Sequence, residues 1–210
     1  NIAAVSAQGL IGEYFDYTDA LVTDLNRTPS FVDGGMLHNR GSANEATIIH
    51  LDGLPTHQKL DIEFVLALID SWDGDDGADG PDSFRVEVDG NLVFQDTFSN
   101  VDGVSQSFVP TSDALLRGHE DLGFEVSNDS LYDFTGAAAL RGIPHSETSA
   151  KISIYGHGPN YGGMSDESWA IDNFRVIVVN AAGDRSPVFA NDFNSSLPSE
   201  RSRISVSTVG

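Results

Sequence analysis

The apolar residues of this chain come in short alternating runs cut by turn residues, and that pattern admits β structure and little else. Twenty-one glycines and eight prolines punctuate the 210 residues, and there is hardly any sustained 3.6-residue periodicity of the kind an amphipathic helix needs. The clearest run, LDIEFVLALI, covers residues 60–69. Leu60, Ile62 and Phe64 alternate with Asp61 and Glu63, and then both faces turn apolar, as expected of a central strand. Phe84, Val86 and Val88 alternate with Arg85 and Glu87, and Asp89-Gly90 supplies a two-residue hairpin signal before the chain returns over 91–98. Further runs at 46–51, 105–109, 122–126, 150–155 and 171–179 bring the count to eight or more strands. The pattern predicts an all-β, two-sheet jelly-roll sandwich with a C-terminal extension.

The composition changes after Val179, where NAAGDRSP reads as a linker followed by one apolar and one polar strand signal. The expected division is a β-sandwich over 1–182 and a linker with a C-terminal strand over 183–210. A first residue of Asn rather than Met suggests a processed chain. No apolar stretch approaches the roughly 20 residues needed to span a bilayer, so no membrane insertion is expected.

Thirty-two acidic residues against eleven basic ones give a net charge of −21, which repels nucleic acid and anionic membrane surfaces. The same excess makes the folded chain repel itself, and a bound divalent cation relieves that directly. There is no cysteine, which removes disulfides, thiolate metal sites and thiol nucleophiles.

The acid is concentrated. DSWDGDDGADGPD, residues 70–82, holds six aspartates in thirteen positions, directly after the central strand. Calcium takes six to eight oxygen ligands, and glycine lets a loop fold tightly enough to converge them. Asp73, Asp75 and Asp79 have part of an EF-hand spacing, but position twelve is Phe84 instead of a bidentate glutamate, so an EF-hand is rejected. A second acidic group, Asp166, Glu167 and Asp172, precedes and enters the last strand of the body. The expected Ca2+ ligands are Asp70, Asp73, Asp75, Asp82, Glu167 and Asp172. Trp72 and Trp169 adjoin these groups and are read either as packing or as sugar-stacking platforms.

No enzyme is expected. His145-Ser146-Glu147 has the residue types of a hydrolase triad, but strand neighbours point to opposite faces, and no nucleophile elbow occurs. His119-Glu120 lacks a second histidine at metalloprotease spacing.

LALIDSWDG, PDSFRVEVDG, LVFQDTF, DLGF, IPHSETSAKISI and DESWAIDNFRV stand in this order. In this they resemble a largely uncharacterised group of secreted bacterial jelly-roll domains of lectin or carbohydrate-module type, over roughly residues 46–179. The resemblance implies an extracellular or cell-surface location and polysaccharide as a possible partner. In that group the run matching DFNSS-LPSERS, here residues 192–202, precedes the first strand, whereas here it ends the chain. That order suggests that residues from about 187 complete the sheet of a following subunit or repeat, with Val188, Phe189 and Phe193 as anchors, the alternative being a tail that folds back on its own domain. Two functions follow as expectations: a calcium-stabilised subunit assembling head to tail into a fibre, sheath or tandem adhesin, or a carbohydrate-binding module.

Overall fold

A computed structural model describes residues 13–16, 35–39, 45–76, 78–111, 114–122, 127–162, 166–193 and 204–208. Its strands are β1 (Glu13–Asp16), β2 (Gly35–Asn39), β3 (Glu45–Asp52), β4 (Lys59–Asp70), β5 (Ser83–Val88), β6 (Asn91–Thr97), β7 (Leu115–Glu120), β8 (Asp129–Asp133), β9 (Ile143–Pro144), β10 (Ser149–His157), β11 (Glu167–Val179), β12 (Arg185–Asn191) and β13 (Ile204–Thr208). One sheet runs β1-β2-β11-β4-β8-β7, with β12 also on β11 and β9 also on β4; the other runs β13-β3-β10-β5-β6. The chain is therefore an all-β, two-sheet sandwich, and β3, β4 and β5 alternate between layers as jelly-roll strands do. Among the described residues, no helix is long and apolar enough to cross a membrane.

Antiparallel pairing of β4 with β11 runs from Glu167↔Asp70 to Val179↔Lys59. Leu60, Ile62, Phe64, Leu66 and Leu68 of β4 point between the sheets and meet Phe84, Val86, Ile152, Ile154, Trp169 and Ile171. Val65, Ala67 and Ile69 point to the other face, where they pack with Met36, Leu131 and Ala170. The two-faced apolar pattern of 65–69 is thus explained by cover on both sides. A stack of phenylalanines closes one flank of the core: Phe64 lies parallel to Phe134 at 5.0 Å, and Phe134 to Phe108 at 5.3 Å.

The predicted hairpin is present. Val88 pairs with Asn91 across a two-residue turn, and Asp89 and Gly90 have φ of 51° and 77°. Both values lie in the left-handed region that a type I′ turn requires and that glycine adopts without strain. Other expectations need correction. Residues 105–109 form no strand; the segment is a loop that drops Phe108 against the core and bonds Ser107 Oγ to Thr97. Leu122 lies in no strand, and residues 123–126 lie outside the described set.

The body does not end near 182. β12 continues the first sheet, pairing with β11 of its own chain from Val179↔Arg185 to Phe174↔Asn191. Phe189 and Phe193 are buried in their own core, with Val188 packed partly against it. The expectation that these three residues anchor in another subunit is therefore corrected for this chain. A side-chain contact explains the attachment. Arg185 reaches over β11 to β4, giving Nε to Asp61 Oδ2 and an Nη to Glu63 Oε1, both at 2.8 Å. Asp61 and Glu63 are 4% and 6% exposed, so they would be costly without that cation. β13 pairs with β3 from Ile204↔Ile49 to Thr208↔Glu45. The rest of the LPSERS run, residues 197–202, falls outside the described residues.

Replacing Arg185 with alanine is expected to lower stability by about 2 kcal/mol, below the 3–5 kcal/mol typical of fully buried pairs because the arginine is partly solvated. Chemical denaturation would read the loss, and an unchanged midpoint would mean that the extension contributes nothing to the body.

Candidate metal centre

The end of β4, the loop over 71–82 and the start of β11 meet at one corner of the sandwich. Backbone geometry fixes that meeting. Glu167 lies opposite Asp70 in the ladder, the amide of Ser71 donates to the carbonyl of Asp166 at 3.2 Å, and Trp72 Nε1 donates to the carbonyl of Ser168 at 2.8 Å. The loop then turns back: Asp82 donates its amide to the Gly74 carbonyl, and Phe98 donates to the Asp82 carbonyl. Asp73, in the loop, is thereby brought beside Asp82, at its end, and Glu167, on the facing strand.

Ligand atoms of Asp73, Asp82 and Glu167 all lie within 4.8 Å of one another. This separation suits carboxylate oxygens arranged around one cation. Asp82 is fully buried and Glu167 is 1% exposed. Asp82 Oδ2 accepts the amide of Asp73 at 2.7 Å, while Oδ1 is buried with no partner among the described residues. Glu167 Oε2 accepts the amide of Gly162.

Such crowding has an electrostatic consequence. Burial first, and then the charges of Asp82, Asp166 and Asp73, push the Glu167 carboxyl up to about 8. Asp82 is pushed up to about 6 by burial, against the lowering effect of the Asp73 amide. Asp73 is raised too, by burial and then by Asp79, Asp166 and Asp76. Three carboxyls that resist ionisation in one place carry a strain that a divalent cation removes. The arrangement can hold such an ion.

Tyr161 closes the site from beneath. Its ring stands edge-on to Trp72 at 5.5 Å and lies against Gly156, where a Cβ would fall 2.3 Å from the ring. Only glycine leaves room for it. The phenol oxygen is buried with no partner among the described residues, and burial, reinforced by the charges of Glu167 and Asp82, raises its pKa well above the ordinary value. Sequence reasoning missed Tyr161; an aromatic residue directly before Gly162-Gly163 and six positions ahead of an acidic strand start at Glu167 was the available signal.

The other residues expected as ligands have different work. Asp70 Oδ1 accepts the amide of Ser127, and its own amide donates to Asp129. Asp129 in turn accepts the amide of Leu122, and burial pushes its carboxyl up to about 6. Asp75 accepts from the hydroxyl of Thr97. Asp172 caps a β-bulge: the β4–β11 register shifts by one residue between Asp172 and Arg175, Asn173 takes φ of 52°, and its amide and side chain donate to the two Asp172 oxygens. Trp72 and Trp169 are fully buried. Trp169 packs edge-on to Phe84, so neither indole offers a face to a sugar, and the stacking expectation is corrected.

No known protein family and no curated protein matches the chain. Among solved structures it is similar to SGBP-B from a complex xyloglucan utilization locus in Bacteroides uniformis, at 15% identity and a TM-score of 0.31. The match covers 85% of this chain and 50% of that one, so this chain spans about half the length of that protein.

The raised carboxyls set a sign for the pH dependence of the metal-free domain. A group whose folded pKa lies above its unfolded value stabilises most when protonated and loses that contribution as pH rises through the folded pKa. Metal-free domain is therefore expected to be more stable near pH 5 than near pH 8.5. Glu167→Gln should remove the part of the trend between about 4.5 and 8. Urea titrations at several pH values, wild type against variant in chelator, would show parallel curves if Glu167 had no such role.

Proposed function

We propose that this chain is an extracellular, calcium-clamped β-sandwich module, with Asp73, Asp82 and Glu167 as the protein ligands of one Ca2+. The observation that carries the reading is the convergence of these carboxylates from separate segments around a buried Asp82 oxygen that no group among the described residues satisfies. The donor set selects the ion. Zinc favours nitrogen and sulfur, magnesium keeps most of its water and uses one or two carboxylates, and calcium accepts several carboxylates in irregular geometry. Extracellular calcium modules work at about 10⁻⁴–10⁻³ M, which agrees with the secreted proteins that the sequence resembles. The clamp would tie the loop over 71–82 to β11 and neutralise part of the −21 charge.

Of the two roles open to such a module, binding fits better than strand donation, because β12 and β13 are paired within their own chain. A second feature supports carbohydrate as the ligand class. A cavity of about 410 Å³ opens where β6, β8 and the 3-10 turn Ala138–Leu140 meet, lined among others by Phe94, Phe108, Asp96, Asp133 and Ala138. Asp96 and Asp133 each use one oxygen locally, on Ser107 Oγ and the Thr135 amide. Their second oxygens are left to accept hydroxyls above an apolar floor, the combination that sugar rings require.

Calcium at 100 times its dissociation constant is expected to add about 2.7 kcal/mol, visible as a higher Tm, and Asp82→Asn should abolish most of the gain. Identical melting curves in calcium and in chelator would end the calcium reading. Titration calorimetry with neutral oligosaccharides tests the second feature: Ala138→Trp, which fills the cavity, should abolish binding without lowering Tm.

A further inference from the structure

At the end of the sandwich opposite the carboxylates, His57 and His145 are joined in a line. His57 Nδ1 lies 2.6 Å from the carbonyl of Pro55, His57 Nε2 lies 2.7 Å from His145 Nδ1, and His145 Nε2 lies 3.1 Å from Asp89 Oδ2. The rings are within 13° of parallel with centres 4.9 Å apart. That separation exceeds the N···N distance by about two imidazole radii, so the rings meet edge to edge in a hydrogen bond and are not stacked face to face.

The two ends of this line fix its proton count. A carbonyl oxygen only accepts, so His57 Nδ1 carries a proton; an ionised carboxylate only accepts, so His145 Nε2 carries one. Those two protons already make both rings neutral. The 2.7 Å contact between the remaining nitrogens needs a third, since two lone pairs facing each other at that distance repel. The line therefore holds one proton more than two neutral imidazoles and a carboxylate contain, wherever along it that proton sits. It is held in a place that water hardly reaches, with His57 3% and His145 9% exposed.

We propose that Asp89, His145 and His57 form a proton-loaded latch that closes this end of the sandwich and loosens when the pH rises enough to remove the proton. The parts it joins are separate in the chain: the β5–β6 turn, the connection from β3 to β4, and the connection from β9 to β10. Those connections also carry backbone bonds that depend on the same alignment, from Leu54 to Thr148 and from His145 to Gln58. Asp89 is the latch's counter-charge and accepts the Lys151 amide with its other oxygen. The Lys59, Glu147 and Lys151 residues are exposed, and Asp52 is half-buried with partners of its own.

Ring ¹⁵N and ¹H resonances of the whole chain, followed against pH in saturating calcium, would count the proton directly. One proton lost in a single step felt by both rings is expected. Amide exchange at Leu54, Gln58 and His145 should accelerate at least tenfold above that step. Asp89→Asn keeps a residue that tolerates the left-handed turn and removes the counter-charge, so the step should move to lower pH. His57→Gln should abolish the step, and the stability difference between wild type and this variant should shrink as pH rises through it. Two independent steps like those of exposed histidines, or amide exchange indifferent to the step, would overturn the latch. If His57→Gln fails to fold, the resonances and the Asp89→Asn shift still decide the matter.

Discussion

The antiparallel pairing of β4 with β11 is the constraint from which the rest of this structure follows. It supplies the middle of the larger sheet, and the inner faces of both strands supply much of the core. Because the two strands are nearly the same length and paired from end to end, their termini define the two ends of the sandwich. At one end Glu167 meets Asp70 and draws in the loop over 71–82; at the other, Val179 meets Lys59 and accepts the amide of Gln58. A bulge at Asn173 lets the register continue past Asp172. The carboxylate cluster and the histidine line lie outside these two termini, so a single ladder fixes the position of both.

Net charge alone says little about where an acidic chain is strained. Most buried carboxylates here are spoken for: Asp61 and Glu63 by Arg185, Asp129 by two amides, Asp172 by the bulge it caps. Each is a charge-assisted bond that offsets desolvation. Asp73, Asp82 and Glu167 differ in facing one another, with amide donors too few to satisfy their oxygens. That contrast, more than the density of aspartates, singles out one corner for a cation.

Where one periodicity governed a segment, the sequence was readable. β4, the β5–β6 hairpin, β10 and β11 showed alternation or a two-faced apolar run because each packs a continuous stripe against the core. β8 was hidden, since DSLYD puts buried polar Asp129 and Ser130 beside Leu131 and Tyr132. Residues 180–187 read as a linker and those from about 187 as a donated strand, since nothing local in RSPVFAN reveals that Arg185 reaches two strands away to Asp61 and Glu63. In the site, Asp73, Asp82 and Glu167 were legible as members of dense acidic runs. Asp70, Asp75 and Asp172 belonged to the same runs and were expected to join them. Strand direction separates them: Asp172 is five residues beyond Glu167 and so points to the opposite face, and Asp70 turns toward Ser127 through a left-handed φ of 67°. The tryptophans beside the acid are buried because they cap the same core that the loop closes.

The two ends of the sandwich answer to protons in different ways. At the carboxylate end a proton and a cation compete for the same oxygens, so either one relieves the repulsion. Loss of protons on raising the pH would there favour a bound divalent cation, as ligand deprotonation favours metal binding. At the histidine end no second species can replace the proton, because a carbonyl and a carboxylate flank the two rings and each only accepts. With a cation held by Asp73, Asp82 and Glu167 as proposed, rising pH would leave that corner closed while it weakens the opposite one. The motion it releases should be confined to the turn at Asp89 and the two connections it joins, with the β4–β11 ladder between the ends left in place.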